Sequence, residues 1–272
     1  MKSIFKNESI EFYGILPFSA CKCRRPDIIE RRGVRADEIK SVIMLLVPYY
    51  VSDGAGNVSL YARSGDYHYY CDGLFERILP KLEEKYGARF FGFADKSPIE
   101  ENAAASMAGL GVIGDNYMLI NEKYGSFVFL AEILSTAESE ALGFSGKVSP
   151  PSYCSHCGAC KKACPMVKDG MECLSAVTQK KGVLTKDEES YLRRYGSAWG
   201  CDLCQLACPL NKKALASGIE TPLDFFRNDR ISTLTAEMLH AMSDETFKRR
   251  SFSWRGKAPL LRNLEILSRE EE

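Results

Sequence analysis

The residues best suited to chemistry in this 272-residue chain are its cysteines, eleven in all. Residues 153–166 read YCSHCGACKKACPM, in which four cysteines are spaced C-x2-C-x2-C-x3-C and the last is followed by a proline. A second group, GCDLCQLACPL, begins at Gly200. Thiolates at such short spacings bind metals, and the candidates are a structural zinc ion and iron–sulfur clusters.

The spacing of the cysteines favours iron–sulfur clusters over zinc. Structural zinc commonly takes two separate C-x2-C pairs and gives no reason for a third cysteine or for the proline. Bacterial ferredoxins use C-x2-C-x2-C-x3-C-P, and the fourth cysteine of the run binds the other cluster. With the solitary Cys173 completing the count, this rule predicts two [4Fe–4S] clusters, the first held by Cys154, Cys157, Cys160 and Cys208 and the second by Cys164, Cys173, Cys201 and Cys204.

The three remaining cysteines have no predicted metal role. Cys71 lies in a helical pattern, where we expect it to pack, and Cys21 with Cys23 form a C-x-C that is too small for another cluster. The N-terminal segment lacks the apolar run of a signal peptide, and the longest apolar run, residues 41–51, is too short to cross a membrane. We therefore expect a cytoplasmic protein with reduced thiols and no membrane contact.

The charge balance excludes a general attraction for polyanions. Basic and acidic residues number 36 each, and the composition, 45% hydrophobic and 26% charged, is typical of a folded domain. Basic residues do cluster late in the chain, most densely in FKRRSFSWRGK, residues 247–257. Any nucleic-acid contact is expected at this local patch.

The N-terminal half must supply the elements that position a substrate. Residues 41–50, 88–95 and 125–134 have the apolar character of strands, and residues 66–87 have that of a helix, broken or kinked at Pro80 and ended by Gly87. The segment SPIEEN predicts a second helix, with Ser97 as its N-cap, Pro98 at its first position and Glu100 completing a capping box. Asp95 would then lie between a strand end and a helix start.

Two familiar patterns in this half are discounted. GLGVIG, residues 109–114, matches G-x-G-x-x-G but follows a helix, so the strand–turn–helix context of a dinucleotide site is missing. DYH, residues 66–68, begins like a motif that lends a histidine to cobalamin, but Cys71 stands where that motif has glycine. The chain also offers no serine–histidine–acid set and no phosphate-binding P-loop, and His156 and His240 have ordinary structural interpretations.

Several segments together resemble the epoxyqueuosine reductase family. These are SLYARSGDYH, FADKSPIEENAAASMAGLGVIGDNYMLI, GSFVFLAEIL, CSHCGACKKACP, CLSAVT and GCDLCQLACP, in the order of that family and within residues 40–265. The family comprises cobalamin- and iron–sulfur-dependent oxidoreductases that complete queuosine synthesis in tRNA, and it is akin to the reductive dehalogenases.

The resemblance implies an α+β protein with three segments. Residues 1–146 would form an α/β cobalamin-binding domain related to flavin reductases and nitroreductases, residues 147–214 a two-cluster ferredoxin-like domain, and residues 215–272 a helical C-terminal segment. The implied cofactors are two [4Fe–4S] clusters and cobalamin. The implied partners are tRNA, through the basic C-terminal segment, and an external electron donor of the flavodoxin or ferredoxin type.

The resemblance also implies which residues do the work. Asp95, in ADKSP, corresponds to the proposed proton donor, for which burial against the corrin would have to raise the pKa. The residues expected to bind or shape the corrin site are Tyr61, Asp66, Tyr67, His68, Ser97, Gly109, Gly111, Gly114, Leu119 and Ser175.

The sequence departs from the family pattern at named positions. Asn102 and Asp115 stand where the family usually has arginine and lysine, and the interval from Cys164 to Cys173 is shorter than usual. The last residues resemble only the lead-in to the helical repeats with which longer members grip tRNA. Two alternatives therefore stay open, the same cofactors acting on a small molecule, as in the dehalogenases, or an electron carrier or corrinoid-activating protein without a substrate.

Overall fold

The structure is a computed structural model, and it describes residues 1–168, 170 and 173–269. The chain divides into two compact units. The first comprises Met1–Pro48 and His68–Cys157, and the second comprises Tyr49–Tyr67 and Gly158–Glu272. The boundaries inferred from the resemblance, at residues 146 and 214, remain predictions.

The first unit is built around a four-stranded antiparallel sheet with strand order β1-β2-β6-β3. Its strands and helices are α1 (Lys2–Asn7), β1 (Tyr13–Pro17), α2 (Pro26–Glu30), β2 (Ser41–Pro48), α3 (Tyr67–Tyr86), β3 (Phe90–Phe93), α4 (Glu101–Met107), β4 (Val112–Ile113), β5 (Leu119–Ile120), β6 (Val128–Ser135) and α5 (Ser139–Leu142). Short 3₁₀ helices cover Phe18–Ala20 and Ala36–Glu38 in this unit.

The central strand β2 explains why the apolar run at residues 41–50 is so easily recognised. All eight of its residues are buried, and it pairs with β1 on one side and β6 on the other. A strand covered on both faces needs apolar residues at successive positions instead of an alternating pattern. The three predicted strands correspond to β2, β3 and β6, whereas the edge strand β1 was not predicted.

Helix α3 forms largely as its pattern predicts. It buries Cys71 in its apolar face, which confirms the packing role expected of that residue. The helix ends before Gly87, whose φ of +62° is a backbone conformation that glycine adopts readily. The predicted break at Pro80 is wrong, since the helix runs through this residue, while the alternative of a kink there stays a prediction.

Helix α4 begins later than the capping-box prediction. Its first residue is Glu101, its N-cap is Glu100, and no side chain caps it. The carbonyl of Pro98 instead accepts hydrogen bonds from the backbone amides of Arg24 and Arg25, and Ile99 forms a β-bridge with Cys23. The segment before α4 is therefore extended because it pairs with a distant part of the chain, and Ser97 is not an N-cap.

The second unit consists of short helices around two apolar clusters. Its helices are α6 (Ala159–Ala163), α7 (Pro165–Lys168), α8 (Leu174–Gln179), α9 (Lys186–Tyr195), α10 (Leu203–Ala207), α11 (Pro209–Ala216), α12 (Asp224–Arg227), α13 (Ala236–Ala241), α14 (Asp244–Lys248) and α15 (Lys257–Ser268), with a 3₁₀ helix at Leu60–Ala62. Buried Asn263 of α15 donates hydrogen bonds to the carbonyls of Thr178 and Ala198, 2.7 and 2.8 Å away. This amide joins the C-terminal helix α15 to α8, which contains Thr178, and to the loop after α9, which contains Ala198.

None of the helices in the described ranges combines the length and the apolar character needed to cross a bilayer.

Candidate active site and metal centre

Asp95 lies just beyond the end of β3 in an unusual backbone conformation. Its φ is +62°, in the left-handed region that residues other than glycine seldom adopt. The amide of Lys96 donates to the carbonyl of Ala94 at 2.7 Å, and the amide of Ser97 donates to that of Asp95 at 2.8 Å. Two consecutive tight turns thus hold the residue, and strain of this kind concentrates at functional sites.

His68 of α3 lies beside Asp95. Its Nε2 lies 3.8 Å from Oδ2 of Asp95, whose side chain is 63% exposed. This contact with His68 lowers the pKa of the Asp95 carboxyl from its ordinary value, against a smaller effect of partial burial. The expectation of a raised pKa is thus not met in the structure, because the carboxyl is exposed beside an imidazole.

Asp95, His68 and Ser97 line a cavity of about 590 Å³ in the first unit. The wall also carries an excess of cationic side chains, namely Arg25, Arg31, Arg32 and Lys96. Arg25 and Arg31 are both paired with Asp27, while the guanidinium of Arg32 lies over the ring of Phe93 at 5.3 Å. Because Asp72 and Asp95 also line the cavity, its net positive charge is small, and it favours an anionic ligand only modestly.

The predicted glycine loop connects α4 to β4 and β5, so its structural context agrees with the rejection of a dinucleotide site. Gly109 has a φ of +77°. A Cβ on Gly111 would lie 2.4 Å from the carbonyl oxygen of Ile120, and one on Gly114 would meet the side chain of Asn116 at the same distance. Local packing therefore requires Gly111, the backbone conformation favours glycine at Gly109, and the close approach of a cofactor remains a prediction.

Leu119 lies on β5 in the main hydrophobic core of the first unit and is only 3% exposed. This position gives the side chain a packing role that its sequence context did not indicate. Its contact with the corrin remains a prediction.

In the second unit, the structure brings together two of the predicted corrin residues, Tyr61 and Ser175. Burial raises the pKa of Tyr61 to about 12, with further effects from Trp199, Asp202, Ser175 and Cys173 around the phenol. The amide of Gln179 bridges the two, donating to Ser175 Oγ at 3.0 Å and to Tyr61 Oη at 3.4 Å. Two hydroxyl groups thus lie next to a predicted cluster ligand, Cys173.

Asp66 and Tyr67 lie at the start of α3. The backbone amide of Asp66 donates to the carbonyl of Arg249 at 2.8 Å, and Tyr67 is the first residue of the helix. Neither observation tests their contact with the corrin, which remains a prediction.

The four cysteines predicted to bind the second cluster gather in one region of the second unit. Cys164 and Cys201 both pack against the apolar cluster that contains Leu174, the residue after Cys173. Burial raises the pKa of the Cys201 thiol to about 12, and the neighbouring Asp202, Cys173 and Cys204 add to the rise. Metal binding uses the thiolate form, so the iron of a cluster would have to offset this unfavourable ionisation, and the four-residue set remains a prediction.

The cysteines predicted to bind the first cluster occupy loop and helix-end positions. In the first unit, the amide of Cys154 donates to the carbonyl of Ile113 at 3.0 Å, and Cys157 is exposed. In the second unit, Cys160 lies on α6 and Cys208 directly follows α10, and these two helices pack against each other. The four-residue set remains a prediction.

Comparison with known proteins supports the iron–sulfur interpretation and the fold. The family described as 4Fe-4S binding domain matches residues 151–167 and 195–216. An epoxyqueuosine reductase of Gloeobacter violaceus is 34% identical over 225 residues, which cover 78% of this chain and 69% of that protein. One from Cellulophaga algicola is 32% identical over 248 residues, covering 85% of this chain and 78% of the relative.

The chain belongs to the epoxyqueuosine reductase family. A crystal structure of epoxyqueuosine reductase with an epoxyqueuosine-modified tRNA-Tyr stem loop shares its fold, with a TM-score of 0.73, 23% identity and coverage of 98% of this chain and 80% of that one. These findings confirm the family, the α+β class, the oxidoreductase assignment and the presence of a [4Fe–4S] domain. Family membership also supports the cobalamin that the resemblance implied.

The two departures from the epoxyqueuosine reductase pattern each have a local partner. Asn102 donates a hydrogen bond from its amide to the carbonyl of Tyr117 at 2.7 Å. Asp115 pairs with Nδ1 of His156 at 2.6 Å, two residues after the predicted ligand Cys154. Both side chains therefore serve to hold loops, where arginine and lysine would add positive charge.

Sequence reasoning missed three carboxyl groups, one buried and two partly buried, whose pKa values are raised. Asp202 accepts hydrogen bonds from the hydroxyl of Ser59 at 2.6 Å and the amide of Leu60 at 2.9 Å, and burial raises its pKa. Glu101 and Glu132 lie close together in the first unit. A signal for Glu132 existed, since it is a lone charged residue within the apolar run FVFLAEIL.

Proposed function

We propose that this epoxyqueuosine reductase homologue reduces epoxyqueuosine in tRNA, with Asp95 as the proton donor. The observation that carries the proposal is the position of Asp95, held in a left-handed conformation on the wall of a cation-lined cavity, in a chain of this family. The same relationship makes a substrate-free electron carrier the weaker alternative, because such a protein has no need of an acid beside a cavity.

The reaction sets the chemical requirements of the site. Converting an epoxide to an alkene consumes two electrons and two protons, and the oxygen leaves as water. The two clusters relay electrons from an external donor of the flavodoxin or ferredoxin type. Asp95 in its protonated form would donate to the departing oxygen, which is the role of a general acid.

The chain's residues fit a corrinoid in two respects. In the second unit, the hydroxyl groups of Tyr61 and Ser175 lie next to Cys173 and would bind a polar edge of the cofactor within short range of the second cluster. In the first unit, His68 lies beside Asp95 and would face the same part of the cofactor as that acid, and its exclusion as an axial ligand remains a prediction. Cobalamin, when bound, would supply strongly reducing electrons to the substrate.

The proposed macromolecular partner is tRNA, met in the cytoplasm. Each unit offers surfaces of suitable charge. In the first unit these are the cationic side chains of the Asp95 cavity. In the second unit, the basic segment 247–257 carries Arg249, whose side chain is 72% exposed, and Trp254, 57% exposed with Arg255 stacked on its ring at 3.9 Å. Cations with an exposed aromatic ring are typical of RNA contacts.

The decisive experiment is reduction of an epoxyqueuosine-containing tRNA-Tyr stem loop by the anaerobically reconstituted protein with cobalamin and a low-potential reductant. We expect the RNA to lose the mass of one oxygen atom. Asp95→Asn should reduce turnover by roughly 100- to 10,000-fold, the usual contribution of a general acid, without changing the iron content. Asp37→Asn is the matched control, because Asp37 is an exposed carboxylate of the same unit paired with Arg35.

Three results would contradict this proposal. Full turnover by Asp95→Asn would exclude Asp95 as the donor. Conversion of a small epoxide or halide, with the RNA left unchanged, would select a small-molecule substrate. Unimpaired electron transfer to a corrinoid partner, without conversion of any substrate, would select the carrier function.

A further inference from the structure

Residues 152–157, the ligand loop, carry Cys154 and Cys157, the two ligands predicted for the first cluster that belong to the first unit. Backbone hydrogen bonds attach this loop to strand β4. The amide of Ile113 donates to the carbonyl of Ser152 at 2.8 Å, and the amide of Cys154 donates to the carbonyl of Ile113 at 3.0 Å. The amide of Ser152 also donates to the hydroxyl of Ser106 on α4 at 2.8 Å. The first unit therefore fixes where Cys154 lies.

A pair of side chains holds the same loop. Oδ1 of Asp115, just after β4, lies 2.6 Å from Nδ1 of His156 in the ligand loop. A carboxylate can only accept a hydrogen bond, so the imidazole donates through Nδ1. The φ of His156 is +52°, a conformation that residues other than glycine seldom adopt. The contact with Asp115 thus stabilises the loop at a residue whose own backbone preference disfavours this conformation.

Both side chains also reach the sulfur of Cys154. One carboxyl oxygen of Asp115, one ring nitrogen of His156 and the sulfur of Cys154 all lie within 4.8 Å of one another. Two atoms bound to a single zinc ion would be roughly 3.3 Å apart, given bonds of about 2.0–2.1 Å. Oδ1 of Asp115 and Nδ1 of His156 are closer than that, so their contact is a hydrogen bond. The arrangement is that of a charged pair beside a cluster ligand.

The charge of Asp115 is only partly screened by water. Its side chain is 13% exposed, whereas that of His156 is 64% exposed. A charge that is largely withdrawn from solvent acts more strongly on its neighbours than a surface charge does. The epoxyqueuosine reductase pattern usually has lysine at this position, so this chain has the opposite charge next to the ligand loop.

The reduction potential of an iron–sulfur cluster depends on the net charge around it, on hydrogen bonds to its sulfur atoms and on its exposure to solvent. Reduction adds an electron to a group that its thiolate ligands already make negative. A carboxylate beside one of those ligands therefore opposes reduction and lowers the potential. A cluster of lower potential is a stronger electron donor once it is reduced.

We propose that Asp115 lowers the reduction potential of the first [4Fe–4S] cluster and positions the ligand loop through His156. The inference rests on the proposed function, in which the clusters relay electrons for the reduction, and on the predicted assignment of Cys154 to the first cluster. A first cluster of lower potential would pass its electron to the second cluster more readily. Asp115 is a positioning residue, because it acts on the cluster through its charge and through His156.

The test is a redox titration of the anaerobically reconstituted full chain, followed by electron paramagnetic resonance without substrate or cobalamin. In Asp115→Asn, one of the two reduction steps should move to higher potential while the other stays in place. The ratio of reduced to oxidised cluster at the native midpoint should rise by roughly tenfold, which is about 59 mV for a one-electron couple. Asparagine keeps an oxygen that can accept from His156, so the iron content should not change.

Three further variants make the result specific. Asp37→Asn is the matched control, because Asp37 is an exposed carboxylate of the same unit paired with Arg35, and neither step should shift. Asp115→Lys should raise the affected step further than Asp115→Asn does. Cys201→Ser lacks a ligand of the second predicted cluster, so the reduction step that it retains should be the one that Asp115→Asn moves.

Four results would overturn the inference. These are unshifted steps in Asp115→Asn, an equal shift in Asp37→Asn, a loss of iron in Asp115→Asn, and a Cys154→Ser variant with unchanged iron content. A loss of iron would mean that the carboxylate is needed to assemble the cluster and does not adjust its potential. Failure of the proposed function has a different signature, because RNA that is never reduced, or full turnover by Asp95→Asn, leaves both cluster potentials unchanged.

Discussion

The two units of the molecule are stabilised in different ways. The first has a sheet whose central strand is buried along its whole length, and its hydrophobic core joins sheet, loops and helix α4. The second has no strand in the residues that the structure describes, and its cysteines lie within or at the ends of short helices. Helices of four to eight residues are seldom stable alone. The comparison indicates that packing maintains the first unit and that metal binding contributes to the second.

Removing iron should therefore have the largest effect, and mainly on the second unit, which holds six of the eight predicted ligands. Chelation under anaerobic conditions would leave half-buried thiols such as Cys164 and Cys201 without their cation. Hydrogen exchange followed by mass spectrometry should show α6, α8 and α10 losing protection while β2 retains it. Both tryptophans, Trp199 and Trp254, belong to the second unit, so tryptophan fluorescence should report the same transition.

The variant Cys201→Ser should affect only the second predicted cluster. We expect iron to fall from about eight to about four atoms per chain, because the variant lacks one ligand of the second cluster. Cys71→Ser is the control, since Cys71 is buried in α3 and should leave the iron content unchanged. Equal loss of protection in both units on chelation would refute the distinction between them.

The pH dependence of stability should be the next largest effect, and it should belong to the first unit. Glu101 has a pKa raised to about 7 in the folded state from an ordinary 4.5. The folded state then binds more protons than the unfolded state between these values. Its free energy of unfolding should decrease as pH rises from about 4.5 to 7, by on the order of 3 kcal/mol.

Hydrogen exchange of β2 amides across this pH range, corrected for intrinsic rates, would measure the change. Glu101→Gln should flatten the dependence because glutamine has no proton to lose. A first unit that became more stable towards pH 7 would show that the carboxyl pair is not protonated in the folded state.

The same contrast explains what the sequence could and could not predict. The cysteine spacing and the apolar run of β2 are local patterns, and both were sufficient for a correct interpretation. The start of α4 was wrong because Pro98 and Ile99 pair with residues near Cys23. The lowered pKa of Asp95 and the pairing of Glu101 with Glu132 depend on residues that only the fold brings together. Spacing alone does not contain these contacts.

Two glycine-to-alanine variants should have smaller effects on stability, one through close packing in the first unit and the other through helix propensity. In Gly92→Ala, the new Cβ would lie 2.4 Å from the ring of Phe75, so the core must shift and stability should fall by about 1–3 kcal/mol. In Gly73→Ala, on the half-buried side of α3, the new Cβ would meet only the end of the flexible Arg77 side chain. That change should be neutral or stabilise the helix by up to about 1 kcal/mol. Equal effects in thermal unfolding would mean that β3 and α3 are less tightly packed than described.

The smallest expected effect concerns the charge of the Asp95 cavity. Arg32 lines the cavity with its guanidinium over Phe93, and the variant Arg32→Gln would remove that charge while keeping a polar side chain. If the cavity receives a nucleotide with its phosphate, affinity for the modified stem loop should fall severalfold, and the slope of log affinity against log salt should decrease in magnitude by roughly one.

Arg35→Gln provides the control, because Arg35 is paired with Asp37 and does not line the cavity. An identical loss in both variants would mean that the protein responds only to its overall charge. A loss confined to Arg32 would instead place a phosphate contact at the cavity that contains Asp95.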